Sequence, residues 1–255
     1  MPQNPHTLLD KPLDNRQRWL TFGLLLLAYI ICNFHRTAPA TASDQLMHSF
    51  AVNGAALGVL SSIYFVLYLV MQIPAGVMSD TLGPRRTIGW PMVLAGIGSL
   101  IFAFAPNLFL AGVGRFLVGA GVGTCFVGLM KSNSQWFSPA QFATVAGFMI
   151  FVTNLASLLA ATPMASLLQV VSWRWVFGGI GVLSLILAAV ILRYAHDVPR
   201  VVSAVKPPHW WPTLKLVCRI PAIWPPTLVL FGVTGCMFAF IGLWASKLIK
   251  DSFVL

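Results

Sequence analysis

Arg36 and Arg115 are the residues whose type and position point most directly to chemistry, because each is a cation set among apolar neighbours. A charge placed within a bilayer is costly, faces a cavity or a partner, and reads as functional by default. No Asp or Glu lies inside any apolar run, so neither guanidinium has a helix-borne carboxylate to neutralise it. Two uncompensated cations favour an anionic solute, held as a bidentate carboxylate or phosphate. His35, next to Arg36, is a candidate proton carrier, since imidazole titrates near neutral pH. Tyr64, Tyr68 and Gln72 recur every four residues and so share one helix face. That face is a candidate lining of the same opening, and Asn154 is a further polar group in need of a partner. Each residue also has a plainer reading. Arg36 can snorkel to the interface, Arg115 can tie helices together, and His35 can be a hydrogen-bonded spacer. The tyrosine stripe and Asn154 can be helix packing.

Such residues must be carried by helices in lipid. Only 9% of the 255 residues are charged, 58% are hydrophobic, and the mean hydropathy is +0.82. A soluble domain carries roughly 25% charged residues, so this chain cannot cover a water-facing surface. Glu is absent, and the six acids are Asp10, Asp14, Asp44, Asp80, Asp197 and Asp251. The net charge of +10 does not imply nucleic-acid binding. That reading needs cations clustered on one solvated face, whereas here they sit singly or in pairs between apolar runs. Cys32, Cys125, Cys218 and Cys236 lie at irregular spacing in or beside those runs, which excludes a C-x-x-C metal pair and favours small buried groups. With no H-E-x-x-H, G-x-S-x-G or Walker loop, no enzyme, cofactor or metal is expected.

A spanning helix needs about 20 mostly apolar residues. Seven stretches qualify: residues 19–42, 51–78, 87–104, 108–130, 142–168, 175–192 and 222–245. The first reaches span length only by including Asn33, His35 and Arg36. A signal peptide cleaved after Ala42 competes with it, but a charged Arg36 before the cleavage site fits that poorly. Orientation follows from the loop cations. With the N-terminus inside, Lys11, Arg16, Arg18, Arg85, Arg86, Lys131, Arg193, Arg200, Lys206, Lys215 and Arg219 are cytoplasmic, against Arg174, Lys247 and Lys250 outside. The expected organisation is a cytoplasmic tail (1–18), a six-helix bundle (19–192), a Pro-rich basic cytoplasmic loop (193–221) and a further helix with its flank (222–255).

The motifs fall into this frame. Gly76, Asp80, Gly83, Arg85 and Arg86 punctuate the turn after the second stretch, where a small residue allows close approach, a glycine a tight turn, and an acid faces cations. The fourth stretch opens Gly114-Arg115-Phe116-Leu117-Val118-Gly119, and Gly119 with Gly123 has the G-x-x-x-G spacing of closely packed membrane helices. Trp136-Phe137-Ser138-Pro139 precedes the fifth stretch, Trp173-Arg174-Trp175-Val176-Phe177 opens the sixth, and Gly242-Leu243-Trp244-Ala245 lies in the seventh. Together these resemble the signatures of the major facilitator superfamily, with Thr81 and Pro84 at positions where that family often has basic residues. Asn33-Phe34-His35-Arg36 is similar to the first-helix signature of its anion:cation symporters, where an acid commonly stands in the place of His35.

The resemblance implies an all-α membrane protein, an N-terminal six-helix bundle plus a seventh helix that is the first of an incomplete C-terminal bundle (222–255), in the inner or plasma membrane. It implies secondary active symport of a small, anionic organic solute such as an organic anion or sugar phosphate, with a coupling proton and alternating access between two bundles. The substrate residues it suggests are Arg36, Arg115, Tyr64, Tyr68, Gln72 and Asn154, with His35 for the proton and the 76–86 loop as a cytoplasmic gate. Its partners are the solute, the proton, the bilayer and a C-terminal bundle missing from the chain, with no nucleic acid. Two other readings stand beside it. One is a truncated fragment inactive alone. The other is a seven-helix receptor or light-driven pump, which the loop charges oppose.

Overall fold

A computed structural model of the chain describes residues 15–198 and 210–239. The chain divides into two units, Met1–Val202 and Ser203–Leu255. Among the described residues every regular element is a helix.

In the first unit, six helical segments are long and apolar enough to cross a membrane: Asn15–Thr41, Gly54–Thr81, Pro84–Ala103, Leu108–Trp136, Pro139–Leu158 and Trp173–Tyr194. They overlap the first six stretches read from the sequence. The helices are α1 (Asn15–Thr41), α2 (Ser43–Phe50), α3 (Gly54–Val70), α4 (Gln72–Thr81), α5 (Pro84–Ala103), α6 (Leu108–Val122), α7 (Cys125–Trp136), α8 (Pro139–Val170) and α9 (Trp173–Tyr194). The second and fourth spans are therefore each interrupted once, at Met71 and at Gly123-Thr124. In the second unit, α10 (Trp210–Cys218) and a 3₁₀ turn (Pro221–Ile223) lead into α11 (Trp224–Ala239). The rest of the seventh expected stretch, with Gly242 and Trp244, and the flanking Lys247 and Lys250 lie outside the described residues.

Local sequence sets the helix starts. The side chains of Asn53 and Asn107 accept from the backbone N–H of Ala56 (3.0 Å) and Leu110 (2.9 Å), satisfying donors that a helix N-terminus leaves free. Ser138-Pro139 and Gly83-Pro84 place proline in the first turn, where its missing N–H costs nothing. Gly83 has φ +87°, a conformation that disfavours any side chain.

The helices are apolar nearly all round, so packing is decided by shape. α5 lies between α9 and α6, α6 packs on α3, and α1 packs on α7, α8 and α9. One buried cluster joins Leu25, Ile31, Ile88, Met92, Leu129, Met149 and Ile191. A second, aromatic cluster toward the α9 N-terminus joins Phe102, Trp173 and Phe177, with Phe102 and Phe177 at 4.8 Å. Glycines allow the closest contacts. A Cβ built on Gly119 would stand 2.6 Å from the Tyr64 carbonyl oxygen and 3.0 Å from its Cα, and one on Gly123 would stand 2.8 Å from Met71 Cβ. The Gly119/Gly123 pair is therefore what lets the fourth span lie backbone to backbone on the second. Around the outside the apolar residues are exposed, and α9 presents Trp175 (75%) and Tyr194 (54%) near its two ends.

Candidate solute site

Arg36 projects from the last third of α1 and is half-buried. It lies close enough to Tyr29, Tyr64 and Tyr68 to act on all three electrostatically. Tyr64 and Tyr68 stack at 6.2 Å, and Tyr29 packs against Phe126 at 5.7 Å. Tyr64 is buried at the root of this group, while Tyr29, Tyr68 and Phe126 keep partial exposure. The result is a guanidinium with tyrosine neighbours from the first and second spans, one of which, Tyr29, packs on Phe126 of the fourth. Gln72 sits one turn beyond Tyr68, and its amide donates at 3.3 Å to the Tyr68 and Gly123 carbonyls, bridging the two span interruptions. Asn154 is exposed on α8 and spends one donor on the Ile150 carbonyl, 2.8 Å away. No described contact joins it to the Arg36 group.

Arg115 is level with Arg36 on α1 but is sealed, at 2% exposure. Its guanidinium donates to the His35 carbonyl at 2.9 Å and lies over the rings of Tyr64 (4.4 Å) and Phe102 (5.9 Å). The two arginines were expected to flank one opening. The structure brings them to neighbouring residues of α1, with Arg36 at the open side and Arg115 packed behind. Cation–π contact strengthens when water is excluded, which explains how Arg115 is tolerated among the described residues without a carboxylate.

His35 is fully buried, and its Nε2 lies 3.0 Å from the Ser184 hydroxyl of α9. Ser184 itself donates to the Ile180 carbonyl at 2.8 Å, so its oxygen is left as the acceptor and Nε2 carries the hydrogen. Nδ1 then points a lone pair at no donor among the described residues.

At the 76–86 loop, Asp80 pairs with Lys131 at 2.7 Å, both groups solvent-accessible. An exposed pair of this kind contributes about 0–1 kcal/mol, so it acts as a contact rather than as a prop for the fold. The close approach expected at Gly76 is absent among the described residues, because a Cβ there meets nothing within 4 Å. Arg86 is exposed. Arg85 is involved in something the sequence does not announce. Its backbone N–H donates to Asp197 Oδ1 at 2.9 Å, and its guanidinium donates to the Leu192 carbonyl. The start of α5 is thus capped by an acid that follows α9, and the end of α9 is capped by an arginine from the start of α5. Each charge has the sign that the helix end attracts. Asp197 fits only because Gly83 has no side chain, since a Cβ there would fall 2.7 Å from its carboxyl carbon. Asp197→Ala should cost about 1 kcal/mol, the usual loss on removing a cap, and Asp197→Asn less than half of that; thermal unfolding in detergent reads both.

The tyrosine at position 29 was missed, although it stands seven residues before Arg36, two helical turns along the same face. Asp197 had no such signal.

The chain matches the family model described as Major Facilitator Superfamily over residues 25–253. It is 30% identical over 189 residues to a D-galactonate transporter of Escherichia coli, covering 69% of this chain and 42% of that protein. A putative tartrate transporter of Agrobacterium vitis is 26% identical over 191 residues, covering 71% and 42%. A probable sulfoacetate transporter of Cupriavidus necator is 23% identical over 170 residues, covering 67% and 40%. In fold, the chain is similar to a bacterial homolog of the human lysosomal transporter Spinster in an inward-facing, unoccupied conformation, with TM-score 0.64, 17% identity, and coverage of 76% of this chain and 46% of that one. The chain thus spans less than half the length of the curated relatives it matches. On the family model, which takes in all six spans except the first residues of α1, this chain belongs to the major facilitator superfamily.

Proposed function

We infer that this chain forms one wall of a secondary transporter for small organic anions carrying a carboxylate, sulfonate or similar group. The observation that carries the reading is Arg36, a half-buried guanidinium among Tyr29, Tyr64 and Tyr68 with no carboxylate paired to it among the described residues. An anion supplies the missing charge, and the phenol groups can hydrogen-bond to hydroxyls on the same solute. The relatives named for galactonate, tartrate and sulfoacetate transport are all named for solutes of this kind. Arg115 contributes its charge from behind α1, and Gln72 and Asn154 complete the polar lining when a second bundle faces them. The 76–86 loop is the cytoplasmic gate, with the N-terminus on the cytoplasmic side of the inner or plasma membrane. Access alternates as one bundle rocks against the other.

His35 Nδ1 is the coupling atom in this reading. It is the ring nitrogen without a partner among the described residues, and because the residue is enclosed here, a proton reaches it only in another state of the cycle.

Vesicles holding the chain together with the five further spans of a second bundle should accumulate labelled galactonate or tartrate, and vesicles holding the chain alone should not, because a single wall encloses no pathway. Collapsing the proton gradient should abolish accumulation while leaving exchange across the membrane. Accumulation that survives the collapse removes the proton. Transport of neutral sugars in preference to their acids removes the anion.

A further inference from the structure

Two apolar grooves open on the outside of the bundle. One, between α3 and α6, encloses about 770 Å³ and is lined by Val59, Ile63, Gly112 and Phe116 with no charged residue at its mouth. The other, between α5 and α9, encloses about 610 Å³ and is lined by Leu100, Phe104, Gly178, Gly179, Val182 and Ile186. It differs in one respect: Arg174 and Trp175 stand at its end.

Arg174 is held from two sides. One guanidinium nitrogen donates to the Ala103 and Ala105 carbonyls at 2.9 and 3.0 Å, and the group lies 4.4 Å over the Trp173 ring. Among the described residues its other guanidinium N–H groups meet no acceptor and no carboxylate pairs with it. The donor edge that remains is therefore positioned in advance, which lowers the entropy lost on binding. Below it, a Cβ on Gly179 would meet nothing within 4 Å and one on Gly178 only Ala103 at 3.9 Å, so the two glycines leave the trough between α5 and α9 open. A fixed cation heading an apolar trough on a bilayer-facing surface matches one kind of molecule.

We propose that the α5–α9 groove is a binding site for one phospholipid, whose phosphodiester pairs with the free edge of Arg174 while an acyl chain lies over Gly178 and Gly179. The bare phosphate lacks the chain; the charge at the mouth and the open trough together select the lipid. The α3–α6 groove, uncharged, holds no lipid in this specific way.

Native mass spectrometry of the full chain, released from detergent and titrated with phosphatidylglycerol, reads the site as one adduct that survives activation. Gly179→Leu should weaken that adduct at least tenfold by filling the trough. Arg174→Gln should weaken it similarly, and Arg174→Lys should restore part. Gly112→Leu, in the other groove, should leave it unchanged. Arg174→Gln also removes the bonds to the Ala103 carbonyl at the end of α5 and to the Ala105 carbonyl after it; should that variant not fold, Gly179→Leu decides alone. Unchanged adducts in Gly179→Leu overturn the proposal. So does displacement of the lipid by inorganic phosphate, and so does a dimer lost on Gly179→Leu in place of a lipid adduct.

Discussion

Arg36→Ala should lower anion binding by about 100-fold or more while leaving the bundle folded. A buried, hydrogen-bonded charge pair costs about 2–5 kcal/mol when one partner is removed, and 2.7 kcal/mol corresponds to about a hundredfold at about 1.4 kcal/mol per decade. The fold should tolerate the change because Arg36 is half-exposed and reaches its tyrosine neighbours without closing a buried ion pair. Arg36→Lys should keep part of the affinity, since a point charge replaces a planar fork that matches a carboxylate. Equilibrium binding of a labelled hydroxycarboxylate, alongside a melting curve, separates recognition from folding. Full binding by Arg36→Ala would end the reading of this site.

Gly119→Val should disrupt the bundle itself. The added Cβ meets the Tyr64 carbonyl oxygen at 2.6 Å and its Cα at 3.0 Å, and these are backbone atoms of a neighbouring span that no rotamer change can move. Overpacking a well-filled contact costs about 1–3 kcal/mol and occasionally more; a backbone-limited contact belongs at or above the top of that range. The second and fourth spans must separate, and the Gln72 amide then loses its bond to the Gly123 carbonyl. The variant should melt at least 10 °C lower in detergent or fail to accumulate. Gly147→Ala is the control, because a Cβ there meets nothing within 4 Å and alanine favours helix by about 1 kcal/mol. Equal behaviour of the two variants would show that the Gly119 contact does not limit the packing.

Much of this fold was legible because apolar length is a strong signal. A run such as residues 175–192 has no soluble alternative, and the Gly119/Gly123 spacing reports close packing through chemistry that only glycine offers. The two interruptions, at Met71 and at Gly123-Thr124, were not legible, since a break of one or two residues leaves hydropathy unchanged. At the site, residue type identified Arg36, and helical periodicity grouped Tyr64, Tyr68 and Gln72. The inward turn of Arg115 depends on which side of the fourth span faces α1, which periodicity cannot supply when every face is apolar. Asp197 meets Gly83 across more than a hundred residues, and no local pattern encodes such a pairing.

Trp175 and Tyr194, exposed near opposite ends of α9, lie nineteen residues apart, or about 28 Å along a helix rising about 1.5 Å per residue. Aromatic rings of this kind settle at the water boundary of a membrane, and the hydrocarbon layer is about 30 Å thick. The sixth span is therefore cut to stand nearly upright in a bilayer of ordinary depth, and in markedly thinner lipid it must lean or deform its surroundings.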